Sequence, residues 1–347
     1  MHPIQSTSIG GFIKMDTIEP QTHIYTPKSL AMRVSYKCNI GCRFCYNISL
    51  PNSDIVMGDE MLLSIIEQCG ENGFRSVGFS GGEVFLFAPS LYKCIRRARE
   101  VGYRGISIVT NGYWGKSVES TRKTIAALLD AGFAPPRDRI SMSVGEFHHE
   151  FLDWSYARNI AKEYFSAFEQ PLRFDFELVP GNERLLDEFK NYMKEQEVPE
   201  NAYNLELRKF IANIGRWKES EGRPLGSKPI SSFKKCNAIN RFVVDPDGKV
   251  LPCCGFNRFI DGISVGNLHD NTVAEIIEQA QTHVATRYLT YAPMDAIYQE
   301  LSTAFELPKD FSVICEVCET IFGKREHMDY LAKRADEFLA KYIQKAP

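Results

Sequence analysis

Long apolar runs are missing from this sequence. No stretch approaches the roughly 20 residues needed to cross a bilayer. The opening MHPIQSTSIGGFIKMD has no apolar core of signal-peptide length. An excess of one charge is missing too: 41 Lys and Arg stand against 44 Asp and Glu, a net charge of −3. That balance gives no reason to expect a nucleic-acid groove or an anionic membrane surface as partner. No sequence repeat is visible. These absences predict a cytoplasmic chain, in a compartment that keeps thiols reduced, with neither nucleic acid nor membrane as partner.

What is present is a globular chain of 347 residues with 44% hydrophobic content, enough for one large domain and an addition. It holds ten cysteines, which in a reducing compartment point to metal or catalysis before disulfides. Cys69 and Cys94 sit in helical contexts, IIEQCG and LYKCIRR, and read as small buried residues.

From residue 28 the chain alternates short β-rich runs with helical ones. Strands are expected at AMRVSY (31–36), SVGFSGG (76–82), GISIVTNG (105–112), RISMSVG (139–145), LRFDFELV (172–179) and AYNLELRKF (202–210). Helical stretches separate them, the βα pattern of a parallel sheet or barrel. After 211 the texture turns rich in Gly, Ser, Pro and charge, and 211–232 reads as a linker or surface loop. RFVVDPDGKVLPCC (241–254) reads as a hairpin about Asp-Pro-Asp-Gly. NTVAEIIEQAQTHVATRYL reads as one helix, a less regular segment leads to CEVC (315–318), and the chain closes on an amphipathic helix. The segments divide as a leader at 1–27, a βα unit at 28–230 and a C-terminal unit at 231–347.

Three cysteines fall within CNIGCRFC (38–45) and a fourth does not follow. Structural zinc wants four closed ligands, and the nearest further candidate, His23, lies outside the loop. A 4Fe–4S cluster needs one ligand per iron, so three cysteines leave one iron open to an external ligand. An open position is what chemistry needs and a structural site avoids.

The spacing Cys38-x3-Cys42-x2-Cys45, with Phe44 before the last cysteine, resembles the radical S-adenosylmethionine (SAM) superfamily. The resemblance implies a partial (β/α)6 barrel of the α/β class. It implies a catalytic 4Fe–4S cluster on Cys38, Cys42 and Cys45 that cleaves SAM to a 5′-deoxyadenosyl radical. GFSGGE supports it. Two glycines let a ligand approach the backbone, and a carboxylate accepts from an ammonium. By resemblance, Gly81, Gly82 and Glu83 hold the methionyl amino group of SAM. Asn111, in VTNG, and Ser143 stand where the family places further SAM contacts, and Phe44 joins the cofactor-binding set. Glu177 is expected to face the barrel interior. His148 and His149 read first as a surface loop or helix start, and second as a general base.

Cys236, Gly248 and Cys253 resemble the C-x(9–15)-G-x4-C signature of SPASM and twitch extensions. With Cys315 and Cys318 they give four ligands, enough for one auxiliary 4Fe–4S cluster on a small twitch-like domain of hairpin and helix. Four-cysteine zinc would use the same ligands. Cys254 follows Cys253, and neighbours on a strand face opposite ways. Cys254 is therefore either a buried thiol or a catalytic hydrogen-atom donor to a substrate radical. Enzymes with this extension act on ribosomal peptides or small metabolites by oxidation, cross-linking or epimerisation, with an electron donor such as flavodoxin or ferredoxin. Only 37 residues precede Cys38, too few for a winged-helix peptide-recognition element. The segments 211–232 and 287–312 either cover the barrel mouth or are inert. The alternative is a non-catalytic zinc-binding or interaction protein.

Overall fold

The computed structural model describes residues 24–179, 181–208, 213–220, 226–253, 255 and 259–343. Strands β1 (Ser29–Arg33), β2 (Ser76–Ser80), β3 (Gly105–Thr110), β4 (Arg139–Ser143), β5 (Leu172–Glu177) and β6 (Tyr203–Arg208) follow one another. They are parallel and lie side by side in sequence order. Helices α1 (Asp59–Glu71), α2 (Ala88–Glu100), α3 (Val118–Asp130), the single turn α4 (Glu146–His149), α5 (Trp154–Phe168) and α6 (Glu183–Glu195) fill the crossovers. This is the partial (β/α)6 barrel expected.

Period-two alternation sets what each strand face does. Met32, Phe79, Ile108, Met142, Phe174 and Phe176 are buried in the core shared with the helices. Their sequence neighbours point to the other, polar face, which carries Ser107, Ser141, Ser143, Asp175 and Glu177.

The sheet does not close β6 onto β1. The free edge of β1 pairs in parallel with β8 (Ile239–Val244), Leu30 opposite Phe242. Between β6 and β8 lie α7 (Gly215–Ser220) and the short β7 (Lys228–Pro229). The expected hairpin is β8 with β9 (Lys249–Cys253), and β10 (Gly266–Asn267) follows, giving nine strands in one sheet. A buried ion pair, Arg33 to Asp245 at 2.6 Å, fastens this join, and Arg33 Nη2 also donates to the Gly255 carbonyl.

Two expectations for the C-terminal part are corrected. The single helix over 271–289 is two, α8 (Val273–Thr282) and α9 (Val284–Tyr291), with His283 extended between them. The break lets them serve different cores: Val273, Ile276 and Ala280 join the barrel core, while Ala285, Tyr288 and Leu289 join a second. The less regular segment holds α10 (Met294–Ser302) and a short strand β11 (Asp310–Phe311) that pairs with β7. Ile297 and Leu301 of α10 are buried in the second core with α11 (Ile314–Phe322) and α12 (Arg325–Ile343). No helix among the described residues is long and apolar enough to cross a membrane.

Candidate active site

β1 ends at Arg33, earlier than expected, and the chain turns into the cysteine loop. Tyr36 N donates to the Ile55 carbonyl and Leu50 N to the Tyr36 carbonyl, so the loop closes on itself. Cys38 and Cys42 are buried and Cys45 is half-buried. Cys45 N donates to the Cys42 carbonyl at 3.2 Å, a tight turn between two of the thiols.

The Gly-Gly-Glu turn after β2 seats this loop. Gly82 N donates to the Ser35 carbonyl at 2.7 Å and Glu83 N to the Lys37 carbonyl at 3.0 Å. A Cβ on Gly82 would lie 2.0 Å from the Lys37 oxygen, and one on Gly81, whose φ is +140°, 2.4 Å from the Ser35 oxygen. The cysteine loop itself therefore makes a close backbone approach for which glycine is needed.

The Glu83 carboxylate is fully buried and accepts from Phe85 N at 3.0 Å, Thr110 Oγ1 at 2.8 Å and Asn111 N at 2.7 Å. It ties the β2 turn to the end of β3 and has no exposed surface for an ammonium. Burial pushes its pKa up to about 7 against the pull of those donors.

Two thiols of the loop have a donor. Asn111 Nδ2 lies 3.6 Å from Cys38 Sγ and 2.9 Å from Asn39 Oδ1. Ser49 N donates to Cys45 Sγ at 3.4 Å. The third, Cys42, lies beside His148. Burial pushes the Cys38 thiol up to about 12, with the Ile40 N–H pulling it down and Glu83, Cys42 and Cys45 adding to the rise. A sulfur so protected loses its proton to a metal rather than to water.

The two histidines part company. His149 stacks on Trp154 at 4.0 Å, away from the thiols. His148 is within a helical turn, as one reading expected, and it is half-buried rather than on a surface loop. Its Nδ1 lies 3.5 Å from Glu177 Oε2, close enough for an ion pair but without a formed hydrogen bond. Burial would lower its pKa, yet the Cys42 sulfur and the Glu177 carboxylate together hold it well above the usual imidazole value. Phe44 packs on Phe147 at 4.7 Å and edge-on to His148 at 5.6 Å, so it builds the wall beneath the loop. Ser143 stands at the end of β4 on the polar face, opposite Asp175 in register.

Sequence reasoning missed Arg216 and Trp217 of α7, within what reads as a linker. The Arg216 guanidinium donates to the Cys42 and Ser49 carbonyls, each at 2.5 Å. Trp217 is buried with Cys38, Cys42 and Phe147. The signal was present: an Arg-Trp pair after a glycine is unusual for an inert linker.

The second group also assembles. Cys318 is buried, its thiol is raised well above the ordinary value by burial, and Cys253, Cys315 and Cys236 add to that rise from nearby. Cys253 ends β9, Cys315 and Cys318 lie on α11, and Cys236 precedes β8. None of the nine described cysteines forms a disulfide. Among the described residues no three His, Cys, Asp or Glu side chains are gathered tightly enough for one metal ion. Four thiols suit an iron–sulfur cluster, one sulfur to each iron, and would equally suit four-coordinate zinc. Cys254 lies outside the described residues.

Residues 32–172 match the radical SAM superfamily, a span holding the three loop cysteines, Gly81 to Glu83, Asn111 and Ser143. Residues 236–318 match the SPASM iron–sulfur cluster-binding domain, a span that begins and ends on two of the four cysteines. The chain carries a radical SAM domain followed by a SPASM domain. It is 22% identical over 317 residues to Bacillus subtilis YydG, described as a peptide biosynthesis protein, covering 87% of this chain and 94% of that one. It is 23% identical over 259 residues to a Methanothermobacter marburgensis protein named "Probable GTP 3',8-cyclase", covering 65% of this chain and 83% of that one. Among solved structures, anSMEcpe with bound AdoMet shares the fold at a TM-score of 0.50 and 17% identity, over 90% of this chain and all of that one. The two matched domains imply a catalytic and an auxiliary iron–sulfur cluster, with SAM as the cofactor that is cleaved.

Proposed function

We propose that this enzyme abstracts a hydrogen atom from a peptide, the outcome being oxidation, cross-linking or epimerisation. The observation that carries the reading is the convergence of the three loop thiols, the Glu83-tied turn and the polar sheet face in one place. Likeness to YydG over nearly the whole of both chains favours a peptide over a small metabolite.

When bound, the catalytic cluster and SAM supply the 5′-deoxyadenosyl radical. The chain's own residues do the rest. Cys38, Cys42 and Cys45 would hold the cluster, and Asn111 and the Ser49 amide stabilise sulfur charge by hydrogen bonds. The Gly81–Gly82 backbone, Asn111 and Ser143 flank the place for SAM, with Phe44 behind the loop. Cys236, Cys253, Cys315 and Cys318 would hold the auxiliary cluster, whose chemistry there would be to take up an electron or orient substrate. Where the substrate radical is quenched by hydrogen return, Cys254 is the donor within the chain. A flavodoxin or ferredoxin supplies the reducing electron.

The test uses anaerobic holoenzyme, SAM and dithionite with short peptides deuterated at Cα, and GTP in a parallel arm. Deuterium moving into 5′-deoxyadenosine from a peptide supports the reading. Turnover of GTP alone overturns it.

A further inference from the structure

The short helix α7 touches both cysteine groups. On one side it caps the catalytic loop. The two Arg216 bonds fix carbonyls at either end of the Cys42–Ser49 turn, and Arg216 N donates to the Cys45 carbonyl at 3.1 Å. The fit is tight. Gly215 has φ +60°, and a Cβ there would lie 2.7 Å from both the Cys45 oxygen and the Tyr46 Cα. Trp217 closes the same side by packing edge-on against Phe147 at 5.8 Å. On its other side the segment grips α11. Asn213 N donates to Ser312 Oγ at 2.9 Å and its amide to Glu316 Oε1 at 3.1 Å. Lys218 Nζ pairs with Glu319 at 2.8 Å. Glu316 and Glu319 lie beside Cys315 and Cys318 on that helix.

We propose that the segment 213–218 is a strap joining the two cluster sites, with Arg216 as the positioning residue that holds the catalytic cysteine loop in its ligating shape. This rests on the reading that both cysteine groups bind clusters. A planar guanidinium suits the task because its fork reaches two carbonyls at once. Its fixed positive charge also faces a loop that becomes anionic when its thiols ligate iron. A lysine keeps the charge but not the fork. Anchorage at α11 makes order at the auxiliary site a condition for order in the catalytic loop.

The experiment compares anaerobically reconstituted wild type, Arg216→Ala, Arg216→Lys and the double variant Asn213→Ala/Lys218→Ala. The readouts are iron per chain, the EPR spectrum of each reduced cluster, and amide hydrogen exchange over residues 38–50. For Arg216→Ala, iron is expected to fall from about eight toward about four per chain, with the auxiliary EPR signal unchanged and exchange over 38–50 faster. Arg216→Lys should restore part of the catalytic signal. The double variant, cut at side chains that bond Glu316 and Glu319 of α11 rather than the loop, should speed exchange over 38–50 with the barrel strands unchanged. Full iron, an unaltered catalytic EPR signal and unchanged exchange in Arg216→Ala and the double variant overturn the strap. Wild type without iron–sulfur signals overturns the underlying cluster reading instead, so the two failures are distinguishable.

Discussion

Glu83 places a carboxylate where water does not reach, held by three donors, one from the turn after β2 and two from the end of β3. Its pKa, raised to about 7 from 4.5, makes the folded chain bind more protons than the unfolded one between those values. Stability contributed by this group is therefore full below about pH 4.5 and declines by on the order of 3 kcal/mol as pH rises through about 7. Thermal melts of the metal-free protein across that window should show this slope, and Glu83→Gln should flatten it. Equal slopes would count against the burial account. Glu83→Gln also turns an amide NH2 toward donors, costing about 1–3 kcal/mol at low pH. At this scale the cysteines were legible because their spacing is their chemistry. The inward turn of His148 was not, because one helical turn can present a histidine either way and only packing on Phe44 decides it. The burial of Glu83 was not legible because sequence names a carboxylate but not the donors that will meet it.

At the scale of elements, the glycine pair and the cysteine loop form one joint. Gly82→Ala places a methyl against the Lys37 carbonyl, so the loop must move. We expect a loss of about 1–3 kcal/mol in the metal-free protein and a several-fold drop in reconstituted iron, measured by denaturant melts and iron assay. Gly58→Ala, which has open space around its Cβ, should change neither. The hairpin's attachment is a second joint. Arg33→Ala leaves Asp245 buried and charged, with Oδ2 already lacking a hydrogen-bond partner, and should cost about 3–5 kcal/mol in denaturant melts. The six strands were readable from period-two alternation between helices. The break at His283 was not, since both halves are good helix and only the division between two cores separates them. The strap was hidden for a related reason: 213–218 has no periodicity, and its order comes from contacts with residues far away in sequence.

Over the whole molecule, one sheet runs from β6 to β10, so the auxiliary-cluster hairpin is an extension of the barrel edge. Parallel pairing of β1 with β8 joins residues more than two hundred positions apart, which no local pattern announces. With the strap, this gives the two cysteine groups two rigid connections. The central claim is that both groups bind clusters and that the first cleaves SAM. The most direct measurement assays 5′-deoxyadenosine and iron on anaerobically reconstituted protein with SAM and dithionite, comparing wild type with the Cys38/Cys42/Cys45→Ala triple variant. We predict 5′-deoxyadenosine with about eight irons in wild type, and none with about four irons left in the variant. Zinc in place of iron and no SAM cleavage by wild type would contradict the account.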